Sequence, residues 1–146
     1  MAKFMKMLNN ISRSQAVYRR SRVSAEDLLS VHYAYLLAIS HMPGCSQEEI
    51  AQELCVNKST VARSLNYLEE KGYITRKPLP SDKRQFSVFP TEKMAAVLPE
   101  IKAASKEWRD YVSAGISENE LEIFDSVLSR MQEKARELIR LEGEAK

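Results

Sequence analysis

Residues 57–71 place several kinds of hydrogen-bonding side chain on one face of an expected helix. Ser59, Arg63, Asn66 and Glu70 recur at helical spacing, with Thr60 and Tyr67 to one side and Lys58 at the entry turn. Small hydroxyls let a backbone come close to a ligand. A guanidinium donates two parallel hydrogen bonds, and an amide both donates and accepts. This set suits the major groove of duplex DNA, where Arg pairs bidentately with guanine and Asn with adenine. Alone, the helix is better read as an ordinary polar surface. The residues that follow decide the matter, because Arg76, Lys77, Asp82, Lys83 and Arg84 add a second, strongly basic segment.

The elements that must position these groups follow from local patterns. Ser46 and Glu49 have the S-x-x-E spacing of a capping box, which starts a helix over about Ser46 to Leu54 with Ile50, Ala51 and Leu54 facing inward. Asn57 caps the second helix, Val61, Leu65 and Leu68 form its inner stripe, and Gly72 ends it after Lys71. Tyr73 to Leu79 reads as a strand, Pro80, Ser81 and Asp82 as a turn, and Gln85 to Phe89 as the return strand, stopped by Pro90. Helix, turn, helix and a basic two-stranded ribbon make a winged helix-turn-helix. Its wing is expected to lay an Arg into the minor groove, where a narrow width raises the negative potential.

Charge is distributed in blocks along the 146 residues. Residues 1–22 carry six Lys or Arg and no acids, and residues 23–55 carry five acids and no Lys or Arg. Residues 56–90 have a net charge of +4, and residues 91–146 of −3. The second helix and wing are thus a basic island between acidic segments, the pattern of a phosphate-binding face.

Other chemistry finds no support. There is no Ser-His-Asp or Cys-His signature, and four glycines build no phosphate loop, so no catalytic residue and no cofactor are expected. His32 and His41 have no acid or thiol at metal-ligand spacing, so no metal is expected. No apolar run approaches the roughly 18 residues of a membrane span. No secretion signal opens the chain, and two cysteines build no disulfide framework, which points to a reducing cytoplasm.

Around the basic island lie long amphipathic helices. Phe4, Leu8, Ile11 and Tyr18 mark a helix over about residues 3–20 that must pack elsewhere, most simply on the C-terminal helices. Its Arg19, Arg20, Arg22 end serves a phosphate or the helix dipole equally well. Residues 23–29 read as a linker. Ser30 is expected to cap a largely buried helix over Val31 to Met42. Thr91 caps a long helix with a stripe at Met94, Val97, Leu98, Ile101, Ser105, Trp108 and Val112, which Pro99 is expected to kink or divide. Ser117 and Glu120 cap a last helix striped by Leu121, Phe124, Val127, Leu128, Met131, Ala135, Leu138 and Ile139, with residues 143–146 fraying. These end helices carry more apolar surface than the small reading unit can cover. A two-fold homodimer would cover it and set two reading helices about 34 Å apart on a palindromic operator.

The chain as a whole resembles the MarR family, the multiple-antibiotic-resistance-regulator type of transcription factor. The resemblance is carried by SQEEIAQEL, by VNKSTVARSLNYLEEKGYITRKP, and by SDKR followed by TEK. One departure lies after the wing, where Phe89 and Pro90 stand before Thr91 in place of the family's Leu-Thr. The resemblance implies a mainly α fold with a small β-hairpin wing. Residues 1–29 would be a dimerisation helix and linker, residues 30–90 the DNA-binding lobe, and residues 91–146 the C-terminal dimerisation helices. It implies a homodimeric repressor, released from double-stranded DNA by a small ligand or an oxidant. Ser59, Thr60 and Arg63 match base or phosphate contacts, Arg84 the minor-groove residue, and Asp82 the acid that orients the wing. Ser46 and Gln47 sit where the preceding helix meets a phosphate, and Lys58 and Lys83 match backbone contacts. The effector implied is an aromatic or phenolic anion between the dimer helices and the lobe, where His32, Tyr33 and Tyr35 are candidate lining residues. Cys45 and Cys55, which flank the first reading helix, are the candidates for an oxidant-sensing alternative. The other alternative is a winged helix that binds a protein instead of DNA.

Overall fold

The computed structural model describes residues 2–144. Six helices and three short strands follow in the order α1 (Ala2–Arg22), α2 (His32–His41), β1 (Cys45–Ser46), α3 (Gln47–Leu54), α4 (Lys58–Glu70), β2 (Ile74–Pro78), β3 (Phe86–Pro90), α5 (Glu92–Val112) and α6 (Glu118–Glu144). The fold is mainly α with a small antiparallel sheet. No helix among the described residues is long and apolar enough to cross a membrane.

The expected caps form. Ser46 Oγ accepts from the Glu49 N–H at 3.1 Å while the Glu49 carboxylate accepts from the Ser46 N–H at 2.7 Å, closing the capping box. Asn57 Oδ1 accepts from the Thr60 N–H at 2.8 Å, Thr91 Oγ1 from the Met94 N–H at 3.3 Å, and Ser117 Oγ from the Glu120 N–H at 3.3 Å. Each cap satisfies an amide that the helix itself leaves without a partner.

Four expectations are corrected. The sheet has three strands in the order β1-β3-β2, because Cys45 and Ser46 pair with Val88 and Ser87. Gly44 makes this possible. It has a φ of +83°, donates its N–H to the Val88 carbonyl at 2.8 Å, and has the Phe89 ring where a Cβ would stand. Ser30 caps nothing with its side chain. Instead α2 begins after Val31 through the His32 N–H on the Leu29 carbonyl, and the Leu29 N–H returns to His32 Nδ1. Residues 23–29 are no loose linker, since Val23 and Leu28 are buried in the core. Pro99 does not divide α5, which runs unbroken from Glu92 to Val112. Pro99 and Ala95 are both exposed, so water can serve the carbonyl that the proline leaves unbonded. Helix α6 continues through Gly143 to Glu144, and the remainder of the expected frayed end lies outside the described residues.

One apolar cluster holds the lobe together. Tyr33, Leu36 and Ile39 of α2, Ile50 of α3, Val61, Leu65 and Leu68 of α4, Ile74, Val88, and Met94, Val97 and Ile101 of α5 share it. The inner stripe of α4 is therefore anchored, and its opposite face is turned outward. Helix α1 lies along α5, joined by the Trp108 indole N–H donating to Ser14 Oγ at 3.3 Å and by an Arg22–Glu107 ion pair.

The region missed as a linker also supplies a polar junction. Asp27 Oδ1 accepts from the Tyr73 hydroxyl at 2.5 Å, Oδ2 from Lys93 Nζ at 2.8 Å, and the Asp27 carbonyl from the Tyr67 hydroxyl at 2.5 Å. Lys93 Nζ also donates to the Lys71 carbonyl at the end of α4, at 2.7 Å. The Lys93 and then the Tyr73 hydrogen bond hold the Asp27 carboxyl below its ordinary value. Burial and then Asp27 push the Tyr73 hydroxyl well above the tyrosine range. A carboxyl depressed on folding stabilises the folded chain fully above its unfolded pKa of 3.8, and that contribution disappears as pH falls through the lowered value. Asp27→Asn should therefore unfold at lower urea than the parent at pH 7, and the gap should close in strong acid. Coincident midpoints at pH 7 would rule out the junction as a source of stability.

Candidate nucleic-acid interface

Helix α4 presents the residues singled out from the sequence along its outer face, and the wing rises beside it. The wing turns at Asp82, whose Oδ1 accepts from the Arg84 N–H at 3.0 Å and whose carbonyl accepts from the Gln85 N–H at 3.0 Å. This short-range bonding fixes the direction in which Lys83 and Arg84 leave the loop, so Asp82 shapes the tip rather than contributing charge to it. Lys83 and Arg84 are exposed.

The starts of α3 and α4 are tied together. Gln47 Nε2 donates to the Lys58 carbonyl at 3.2 Å, so Gln47 steadies the first turn of α4. The Ser46 oxygen already serves as a cap, which leaves its hydroxyl hydrogen free to donate. Lys58 forms an exposed ion pair with Glu48 at 3.4 Å. Such a pair is worth about 0–1 kcal/mol, so a phosphate can displace the carboxylate readily. A cleft of about 190 Å³ opens here, and Ser46, Gln47, Lys58, Arg76 and Arg84 all line it. Residues far apart in the chain thus meet along one edge, with Lys58 and Arg84 as its exposed cations and Glu48 beside them.

Along α4, the Ser59 hydroxyl donates to Asn57 Oδ1 at 2.8 Å and stays exposed. Thr60 is half-buried and its Oγ1 accepts from Arg63 at 3.4 Å, a long contact that leaves most of the Arg63 donors open. Arg63 and Asn66 are exposed.

The basic strand residues differ from the expectation. Lys77 is exposed, with its Nζ 5.1 Å from the Phe89 ring centre. Arg76 is not available as a free contact. Its Nε donates to Glu69 at 2.8 Å, its Nη2 to Asn66 Oδ1 at 2.8 Å, and the Phe86 ring centre lies 5.7 Å from its Cζ. The side chain is only 22% exposed, so Arg76 fastens the wing to α4. Glu69 and Asp27 are the residues that sequence reasoning missed, because each meets its partners only through the fold, which no spacing rule announces.

The candidate effector residues lie in the packed core. Tyr33 and Tyr35 are buried, and their hydroxyls have no hydrogen-bond partner among the described residues. His32 is buried with its ring stacked on Tyr67 at 4.7 Å, and burial pulls its pKa down. None of the three lines the cleft at Ser46 and Arg84 or the one at Arg136 and Arg140. Cys45 is buried as well. Burial, and then Glu49, push its thiol up, which opposes the thiolate an oxidant sensor needs. Cys55 is half-buried in the left-handed turn between α3 and α4, with a φ of 53°.

A reading helix held by its apolar side, a short capped helix before it and a ribbon beside it define a winged helix-turn-helix DNA-binding protein. Comparison with known proteins narrows this. The profile described as the MarR family matches residues 26–85. A transcriptional regulator of the helix-turn-helix type from Bacillus subtilis (strain 168), YybA, is 31% identical over 106 residues, spanning 73% of this chain and 71% of its own. The crystal structure of MarR is 31% identical, covers 96% of this chain and 93% of its own, and superposes with a TM-score of 0.77. A MarR family regulator from Listeria monocytogenes, solved with a 26mer DNA, shares the fold at 21% identity with a TM-score of 0.87, covering 96% and 93%. The chain belongs to the MarR family of DNA-binding transcriptional regulators.

Proposed function

We propose that this regulator is a homodimeric repressor that grips a palindromic operator with two copies of the α4 and wing surface. The observation that carries the proposal is the state of α6. None of its described side chains is buried, although Phe124, Val127, Met131, Leu138 and Ile139 form an apolar stripe along it. Met7, Ile11 and Val17 of α1 are exposed as well. Apolar stripes of this length are covered by a partner, and a second copy supplies matching stripes about a two-fold axis. Helices α1 and α6 and the far half of α5 then serve pairing, while residues 23–29 and the first turns of α5 pack into the lobe of residues 30–90 that serves DNA. The cytoplasm is the natural setting for such a protein.

Each protomer would set α4 in a major groove. Arg63 reads a base, Ser59 and Thr60 bring the backbone close, and Lys58, Lys83 and Ser46 hold phosphates. Arg84 enters the minor groove, and Lys77 adds charge along the wing. A structure of this fold from Listeria monocytogenes is solved with a 26mer DNA, which supports duplex DNA as the partner.

Release by a small aromatic or phenolic anion fits a cleft of about 810 Å³ between the end of α6 and the α3–α4 turn. Arg136, Arg140 and Lys58 line it with Val56 and Ile139, and so do the carboxylates of Glu48 and Glu142. Lys58 is paired with Glu48 and Arg136 with Glu53, so an anion would displace exposed carboxylates to bind. This cleft offers an effector more room than the packed surroundings of His32, Tyr33 and Tyr35. It also touches the Asn57 cap and the first turn of α4 at Lys58 and Thr60, so a molecule seated there bears on the reading helix.

Arg63→Ala should weaken operator binding by about 1–3 kcal/mol and relax the preference at one position of each half-site. Lys83→Ala should weaken all duplexes alike and lower the slope of log affinity against log salt by about one. Fluorescence titrations at several salt concentrations check both, and unchanged binding in both variants would refute the docking. Sedimentation equilibrium at micromolar concentration should give a dimer mass, and a stable folded monomer would refute the pairing.

A further inference from the structure

Asn66 is the one amide on the outer face of α4, and an amide there is expected to choose adenine. That choice needs both halves of the group, since the nitrogen donates to adenine N7 and the oxygen accepts from the adenine amino group. In this chain the oxygen is already engaged by Arg76 Nη2 at 2.8 Å. Arg has donors and no acceptor, so the assignment of the amide is chemically forced. The oxygen faces the guanidinium, and the NH₂ is left to point away from it. The guanidinium is itself fixed, through Nε to Glu69 at 2.8 Å and by the Phe86 ring beside it. Arg76 is mostly enclosed, whereas Asn66 is exposed.

We infer that Arg76 turns Asn66 into a donor-only reader, so that the base it contacts is guanine rather than adenine. The reasoning is electrostatic and geometric. A cation on the carbonyl oxygen draws electron density from the amide, which strengthens its N–H groups as donors and weakens the oxygen as an acceptor. An adenine amino group brought to that oxygen must share it with a guanidinium donor already seated there at 2.8 Å. Guanine presents only acceptors along its major-groove edge, N7 and O6, and both suit the outward NH₂. Arg76 is thus a positioning residue for specificity, reaching the DNA only through Asn66. Glu69 keeps it in place and neutralises it.

The inference rests on α4 entering the major groove, and the test separates the two. Binding of the full-length protein to a randomised duplex library is selected, sequenced and compared for the parent, Asn66→Ala, and the pair Glu69→Gln with Arg76→Met. The double change removes the cation without stranding a carboxylate, and thermal melting verifies that it folds. In the parent, the position whose preference Asn66→Ala flattens should favour guanine. In the Glu69→Gln, Arg76→Met protein, the guanine-to-adenine ratio at that position should fall about tenfold. Adding Asn66→Ala to that protein should abolish the shift. Adenine at the Asn66-dependent position of the parent overturns the inference. So does an Asn66→Ala profile identical to the parent's, or an Arg76 variant that weakens every sequence equally. If the double variant fails to fold, the base at the Asn66-dependent position of the parent decides alone. Absence of salt-sensitive binding to any duplex would instead remove the groove docking itself.

Discussion

The carboxylate of Asp27 decides how the reading helix is seated. It sits where the chain between α1 and α2, the end of α4, the start of β2 and the first turn of α5 converge. Apolar packing of Val61, Leu65 and Leu68 fixes which side of α4 faces inward but leaves rotation and sliding loosely determined, because such packing is non-directional. The hydrogen bonds at Asp27 are directional. They set the far end of α4 while the Asn57 cap and the Gln47 bridge set its beginning. A helix that presents hydrogen-bonding groups needs both ends held, since a displacement of about an ångström misaligns a donor with its acceptor.

What the sequence made legible was local. The caps at Ser46, Asn57, Thr91 and Ser117 involve partners three residues away, and spacing alone announces them. The inner stripes of α3 and α4 and the two wing strands were legible for the same reason, with strand ends displaced by a residue. Contacts made across the fold were not. Cys45 and Ser46 gave no strand signal, since two residues carry no alternation, and only pairing with β3 makes them a strand. Asp27 lay in a stretch with the composition of a linker. Pro99 was read by its usual effect on a helix interior, which its position on an exposed side makes tolerable.

The candidate site divides in the same way. Side-chain types and helical spacing identified the exposed members of α4 and the wing tip. Spacing could not say that Arg76 would spend its donors on Glu69 and Asn66, because their meeting depends on how far the wing leans toward α4. Nor could composition distinguish a cavity lined by Tyr33 and Tyr35 from a core filled by them. Both need the same residue types at the same places, and only the closeness of neighbouring helices separates the two.

Lys93 has a consequence for movement. Its ammonium bridges the carbonyl of Lys71, at the foot of the reading helix, and the carboxylate of Asp27. The same residue belongs to the first turn of α5, a rod of 21 residues whose far half lies against α1 through Trp108 and Ser14. An α5 that screws about its own axis must either drag the foot of α4 with it or surrender two charge-assisted bonds at once. The two ends of this protein are therefore geared together by one flexible side chain, and slack in that gear is slack in the grip on DNA.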